Sequence, residues 1–156
     1  KPVNATAPIL QLAKVMEYVI YEAKEKLIDV KKEIQFLNNY IQLLNQQDST
    51  VQFETELDGD YDLLKISPLL LAGFIDKLDT KNNLTGKRSY RLQLKFSGNQ
   101  MVMVINESSG NHNMLLLLKD DDLNNRLTKL YPGKFSFSNP TGNPSFTLSL
   151  ILHEER

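Results

Sequence analysis

Two helical stripes open the chain. From Ala7, with Pro8 suited to a first helical turn, Ile9, Leu12, Met16, Val19, Ile20, Ala23 and Leu27 recur at helical spacing. After Asp29, a candidate cap, Val30, Ile34, Leu37, Ile41 and Leu44 repeat in steps of four and three. A stripe this narrow suits a helix packed on its own domain. The sharper alternative is that this a/d-spaced stripe also faces a partner helix.

Beyond the polar break at residues 46–49 the period changes. Val51, Phe53 and Leu57 alternate with polar residues, as in a half-buried strand, and Asp58-Gly59-Asp60 reads as a turn. Residues 65–81 return to helical spacing: Ser67 can cap, Pro68 suits a first turn, and Leu69, Leu70, Phe74 and Leu78 form a buried stripe, while Asp76, Lys77 and Asp79 lie opposite. A polar loop over residues 80–88 precedes a hairpin. Tyr90, Leu92, Leu94 and Phe96 alternate, Gly98-Asn99 turns, and residues 101–105 form an apolar strand fit for the middle of a helix-covered sheet. Residues 107–113 read as a loop. After residues 114–118, Asp120, Asp121 and Asp122 open a helix that carries Lys129 in its last turn and stops at Tyr131-Pro132-Gly133. Strands at 135–138 and 146–152, joined by the turn-rich residues 139–144, close the chain. Helices first, then strands interleaved with two helices, predict a two-layer α/β (α+β) sandwich with a mixed, mostly antiparallel sheet.

Composition narrows the function classes. With 156 residues, 41% hydrophobic and 24% charged, the chain is long enough for one domain plus a helical extension, and it is neither disordered nor membrane-embedded in character. A net charge of −1 gives no electrostatic case for nucleic acid or an anionic lipid surface. The absence of cysteine excludes disulfides and thiolate zinc sites. His112 and His153 have no neighbours at metal spacing. The chain starts at Lys1 and reads as a piece of a longer protein whose membrane anchor, if any, lies upstream.

Three stretches carry a resemblance. Ser67-Pro68-Leu69-Leu70-Leu71-Ala72-Gly73-Phe74-Ile75-Asp76-Lys77 resembles the Pro-Pro-Leu-Leu-Leu-x-Pro-Phe-Val-Glu-Asn helix that carries the N box of LytS-type sensor histidine kinases, two-component proteins of the GHKL ATPase superfamily. Residues 17–27 and 31–43 are similar to that family's Leu-Arg-Tyr-x-Leu-Tyr-Glu and Leu-x-x-Glu-Ile-x-x-Leu-x-x-Tyr-Ile-x-Leu patterns. Arg126-Leu127-x-x-Leu130-Tyr131-Pro132-Gly133 resembles the family's Arg-Leu-x-x-Leu-Tyr-Pro-Gly. The resemblance implies a Bergerat ATPase sandwich over residues 47–156, preceded by a helical dimerisation or connector segment over residues 1–46. It makes Ile34, Leu37, Ile41 and Leu44 the expected dimer interface. The family's phosphoacceptor signature, Pro-His-Phe-Leu-Phe-Asn, is absent.

The same resemblance implies a degraded nucleotide site. Lys77 takes the place of the Asn that helps hold Mg²⁺; a lysine has donors and no acceptor. A unit positive charge about 5 Å from a divalent cation costs on the order of 7 kcal/mol at an effective dielectric of 20. Asp76 stands for the family's acidic catalytic residue, and Asn106 for the adenine-binding residue. The positions expected to hold the glycine box fall on Leu117, Leu118, Lys119, Asp120, Asp121 and Asp122, where leucine resists the backbone glycine allows and aspartate repels phosphate. The aspartates read as a solvated helix start rather than a metal site. No cofactor is expected, ATP with Mg²⁺ entering only through a divergent site at Asp76, Lys77 and Asn106. The favoured reading is a cytoplasmic, dimerising signal-transduction scaffold of a membrane-anchored bacterial sensor. Its partners would be a second copy or a histidine kinase, with a response regulator as a further one, and neither nucleic acid nor membrane contact by this segment. An active ATP-dependent histidine autokinase and a small-molecule sensor reusing the pocket are the alternatives.

Overall fold

The computed structural model describes residues 6–80, 87–108, 117, 119–139 and 145–155. Much of the 80–88, 107–113, 114–118 and 139–144 connections, including Gly110, His112 and Leu118, lies outside the described residues.

Helix α1, Thr6–Glu17, runs into a single π-helical turn, Tyr18–Glu22, and not into one helix reaching Leu27. A two-residue strand β1, Ile28–Asp29, leads into α2, Val30–Gln47. Strands β2, Val51–Asp58, and β3, Leu64–Ile66, precede α3, Leu70–Thr80. The hairpin is β4, Arg88–Ser97, and β5, Gln100–Glu107. Helix α4, Asp121–Leu130, is followed by β6, Phe135–Ser138, β7, Ser145–Ile151, and β8, His153–Glu154.

The main sheet has strand order β2-β4-β5-β7-β6, with β2 parallel to β4 and every other pair antiparallel. Period-two alternation sets its inner face. Tyr90, Leu92, Leu94 and Phe96 on β4 stand with Met101, Met103 and Ile105 on β5 and Phe146, Leu148 and Leu150 on β7, all buried. Leu57 departs from the pattern: at the far end of β2 it is exposed. A second sheet, β1-β3-β8, is built from strands too short to show alternation in the sequence.

Helices α2, α3 and α4 cover the inner face with Ile34, Leu37, Ile41, Phe74, Leu78, Leu123 and Leu127 in one continuous core. Asn45 pins the end of α2 to β2 by imitating a strand partner: its Nδ2 donates to Phe53 O and its Oδ1 accepts from Phe53 N, each at 2.9 Å. The side chains of the expected dimer seam pack within the chain. Ile34, Leu37 and Ile41 are buried in the intramolecular core and Leu44 packs against it, because the same stripe is what the sheet requires for cover. Nor does the packing divide at residue 46, since α2 shares the core of the strands that follow it. Among the described residues, exposed apolar side chains cluster instead on α1 and its π turn, at Ile9, Leu10, Leu12, Met16, Val19 and Ile20, with Leu57, Leu63 and Ile151 exposed elsewhere.

Candidate functional site

Helix α3 is built from its N-terminus outward. Ser67 does not cap it: its N–H donates to Tyr131 Oη at 2.9 Å, and Leu69 takes a left-handed φ of 65°, so that the helix begins only at Leu70. The cap comes from another element. Glu33 of α2, fully buried, accepts the Leu69 N–H at 3.0 Å on Oε1 and the Leu71 N–H at 3.2 Å on Oε2, satisfying donors that a helix start leaves orphaned. Tyr18 Oη donates to the same carboxylate at 2.5 Å. Across the turn, Arg126 of α4 donates to Pro68 O at 2.7 Å and Leu69 O at 3.3 Å. Burial pushes the Glu33 carboxyl up, against the opposing pull of the Tyr18 hydroxyl, the two amides and Arg126.

None of Tyr18, Glu33 and Arg126 is picked out as a site residue by the sequence. The signal for Glu33 is its spacing: three residues after Val30 and four before Leu37, it is a charge on the apolar stripe of α2.

At the other end of α3, Asp76 is exposed, and Lys77 reaches across to the start of α4. Lys77 Nζ lies 3.1 Å from Asp122 Oδ2 and 3.7 Å from Asp120 Oδ2, and the hydrogen bond to Asp122 raises its pKa. Asp120 is not the solvated residue expected of it. It is buried as the N-cap of α4, accepting the Leu123 N–H at 3.0 Å, whereas Asp121 and Asp122 are exposed. Leu117, at a glycine-box position, is buried in the core.

Asn106 is not brought to this end of α3. Strand alternation turns Ile105 and Glu107 inward and Asn106 outward, onto an open concavity of about 650 Å³ lined by Gln52, Glu54, Ser89, Arg91 and Gln93. The inward, buried carboxyl at the end of β5 belongs to Glu107. Asp76 and Lys77 therefore share one surface and Asn106 occupies the opposite face of the sheet.

The α3–α4 gap is closed by charged side chains. The groups present are an ammonium and two carboxylates already engaged with one another. Among the described residues no three His, Cys, Asp or Glu side chains gather as a metal site. No helix among them is long and apolar enough to cross a membrane.

No protein-family model matches the sequence and no curated protein is significantly similar to it. Solved structures are similar in fold. The nucleotide-free catalytic domain of the histidine kinase ThkA aligns over 83% of this chain and 97% of its own length, with a TM-score of 0.56 at 10% identity. ThkA in complex with the response regulator protein TrrA aligns over 98% of this chain and 51% of its own, with a TM-score of 0.55 at 12% identity. The Acinetobacter baumannii histidine kinase AdeS aligns over 94% and 77%, with a TM-score of 0.54 at 12% identity. The chain thus has the fold of histidine kinase catalytic domains, a mixed and mostly antiparallel sheet covered by helices.

Proposed function

We propose that this chain is the ATPase-type domain of a LytS-like two-component sensor histidine kinase whose nucleotide site has been lost, and that it works in the cytoplasm as a dimerising scaffold for signal transfer. The observation that carries the reading is the closed contact of Lys77 with Asp122 and Asp120. It joins α3 to α4 by charge where an active relative would seat metal and triphosphate between them. Asp76, exposed beside it, keeps the family's acidic position without a nucleotide to act on. The complex of ThkA with a response regulator, in a structure of the same fold, supports a response regulator as one partner. The dimer contact falls on the exposed apolar side chains of α1, Ile9, Leu12 and Met16, in place of the buried stripe of α2.

Thermal denaturation with ATP and ADP, each with and without Mg²⁺, tests the loss of the site. A ligand at 100 times its dissociation constant adds about 2.7 kcal/mol, and the reading expects no shift at millimolar nucleotide. A shift that requires Mg²⁺ overturns it. One that is independent of Mg²⁺ and disappears in Lys77→Ala shows that the lysine has replaced the metal's charge. For the dimer, sedimentation of Leu12→Glu and Met16→Glu is expected to show dissociation with the fold intact.

A further inference from the structure

The buried carboxylate of Glu33 joins parts of the chain that share no strand. Its hydrogen-bond donors are Tyr18 in the π-helical turn and the backbone of Leu69 and Leu71 where α3 begins. Each side departs from ordinary helix geometry. A single π turn interrupts the ordinary helical register of the N-terminal segment, and such turns are frequent at functional sites. Leu69, a branched residue at φ 65°, holds a conformation that L side chains avoid. It is kept there from both sides, by Glu33 on its N–H and by Arg126 and the Gly73 N–H on its carbonyl. Tyr18 has no second arrangement that keeps its place: its ring stacks on Phe36 of α2 at a centroid distance of 4.2 Å, with its hydroxyl on Glu33. A displacement of α1 therefore removes a donor from a fully buried carboxyl group, and the Leu69 turn loses the group that holds it.

We infer that the Tyr18–Glu33 bond is a latch that makes the order of the α3 N-terminus depend on the position of the N-terminal helix. Force applied to the exposed apolar face of α1 is delivered to α3 through this bond, and α3 carries it to Lys77 and the α4 cap. The latch does not depend on whether the far end of α3 binds nucleotide.

Native-state hydrogen exchange, read amide by amide on the whole chain, tests it. In Tyr18→Phe the Leu69 and Leu71 amides are expected to exchange about tenfold faster or more, the loss of one hydrogen bond to a buried charged group, with β4 and β5 amides unchanged. Tyr21→Phe, in the same turn but 68% exposed, is expected to leave Leu69 and Leu71 as they are. Coupling is reciprocal, so Arg126→Gln, which loosens the turn from the other side, is expected to speed exchange of the Ala23 amide that bonds to Tyr18 O. Unchanged Leu69 and Leu71 amides in Tyr18→Phe, or a rise shared equally by β4 and β5, overturn the latch. Should Tyr18→Phe fail to fold, the unaltered chain in low denaturant decides. The Ala23, Leu69 and Leu71 amides must then open with one free energy and one denaturant slope, and separate openings overturn the proposal.

Discussion

Lys77 Nζ and Asp122 Oδ2 stand 3.1 Å apart, joining the last turn of α3 to the first turn of α4. Next to that exposed pair is a buried one, since Asp120, 3.7 Å from the same ammonium, also caps α4. The two aspartates thus differ in energetic weight while contributing the same charge. Asp122 has a side chain 85% exposed, so Asp122→Ala is expected to change stability by less than about 1 kcal/mol, the range of solvated ion pairs. Asp120→Ala removes a cap and leaves the Leu123 N–H without its partner, which costs about 1–2 kcal/mol. Chemical denaturation of both variants checks the order. Equal losses contradict the assignment of Asp120 as the structural member.

Two glycines separate backbone necessity from tolerance. Gly59 follows β2 at φ 93°, and a Cβ there would lie 2.0 Å from Phe96 O, a contact that only backbone movement relieves. Gly73 sits in the interior of α3, where an added Cβ meets Arg126 and Leu123 side-chain atoms at 3.6 and 3.7 Å, ordinary contact distances. Gly73→Ala is therefore expected to raise stability by about 0.5–1 kcal/mol through helix propensity. Gly59→Ala is expected to lower it by more than that. Melting curves of the two single variants give the comparison, and a loss in Gly73→Ala contradicts the fit of its site.

What the sequence made legible follows from what burial does to local pattern. The β4–β5 hairpin was readable because its alternation and its Gly98-Asn99 turn are local properties, and the α4 start because Asp120 caps its own helix. The α3 start was misread. Ser67 and Pro68 have the right chemistry for a helix entry, yet Glu33, 36 residues before Leu69, performs the capping, and local propensity contains no term for it. Asn106 faces away from α3 for a simpler reason. A one-residue offset at a strand end exchanges faces, so Glu107 takes the inward place. The α2 stripe was legible as apolar with two covers open, its own domain or a partner helix, because periodicity fixes a buried face without naming what covers it; the structure packs it on its own domain.

Buried ionisable groups give the fold a pH signature. Burial pushes the Tyr18 and Tyr131 hydroxyls above the usual tyrosine range, and Glu33 above the usual glutamate range. A raised pKa means that the native state holds its proton longer than the unfolded chain. The associated stability is present below the ordinary value and is lost as pH rises through the native one. Wild-type stability is accordingly expected to fall more steeply than that of Glu33→Gln as pH climbs from the ordinary glutamate range. In an alkaline titration followed by phenolate absorbance, Tyr18 and Tyr131 are expected to ionise only as the protein unfolds. Wild type and Glu33→Gln with parallel pH profiles contradict the assigned burial of this carboxyl.

Arg88 opens β4 with only 7% of its surface exposed, and its Nε and Nη1 have no hydrogen-bond partner among the described residues. The backbone at this position is well used, since its N–H donates to Thr50 O at 2.7 Å and fixes the parallel start of β2 and β4. The guanidinium is a different matter. A buried guanidinium with two of its nitrogens unpartnered retains much of its desolvation cost, and replacement by an apolar side chain of similar length removes that cost while keeping the volume filled. Arg88→Met is thus expected to raise stability by about 1 kcal/mol or more, with the β2–β4 register unchanged by amide exchange. Arg88→Lys keeps the charge and is expected to gain nothing. A clear loss in Arg88→Met, with Arg88→Lys near wild type, means that the charge is repaid in the fold, with Asp48, on which Arg88 acts electrostatically, as the group to test next.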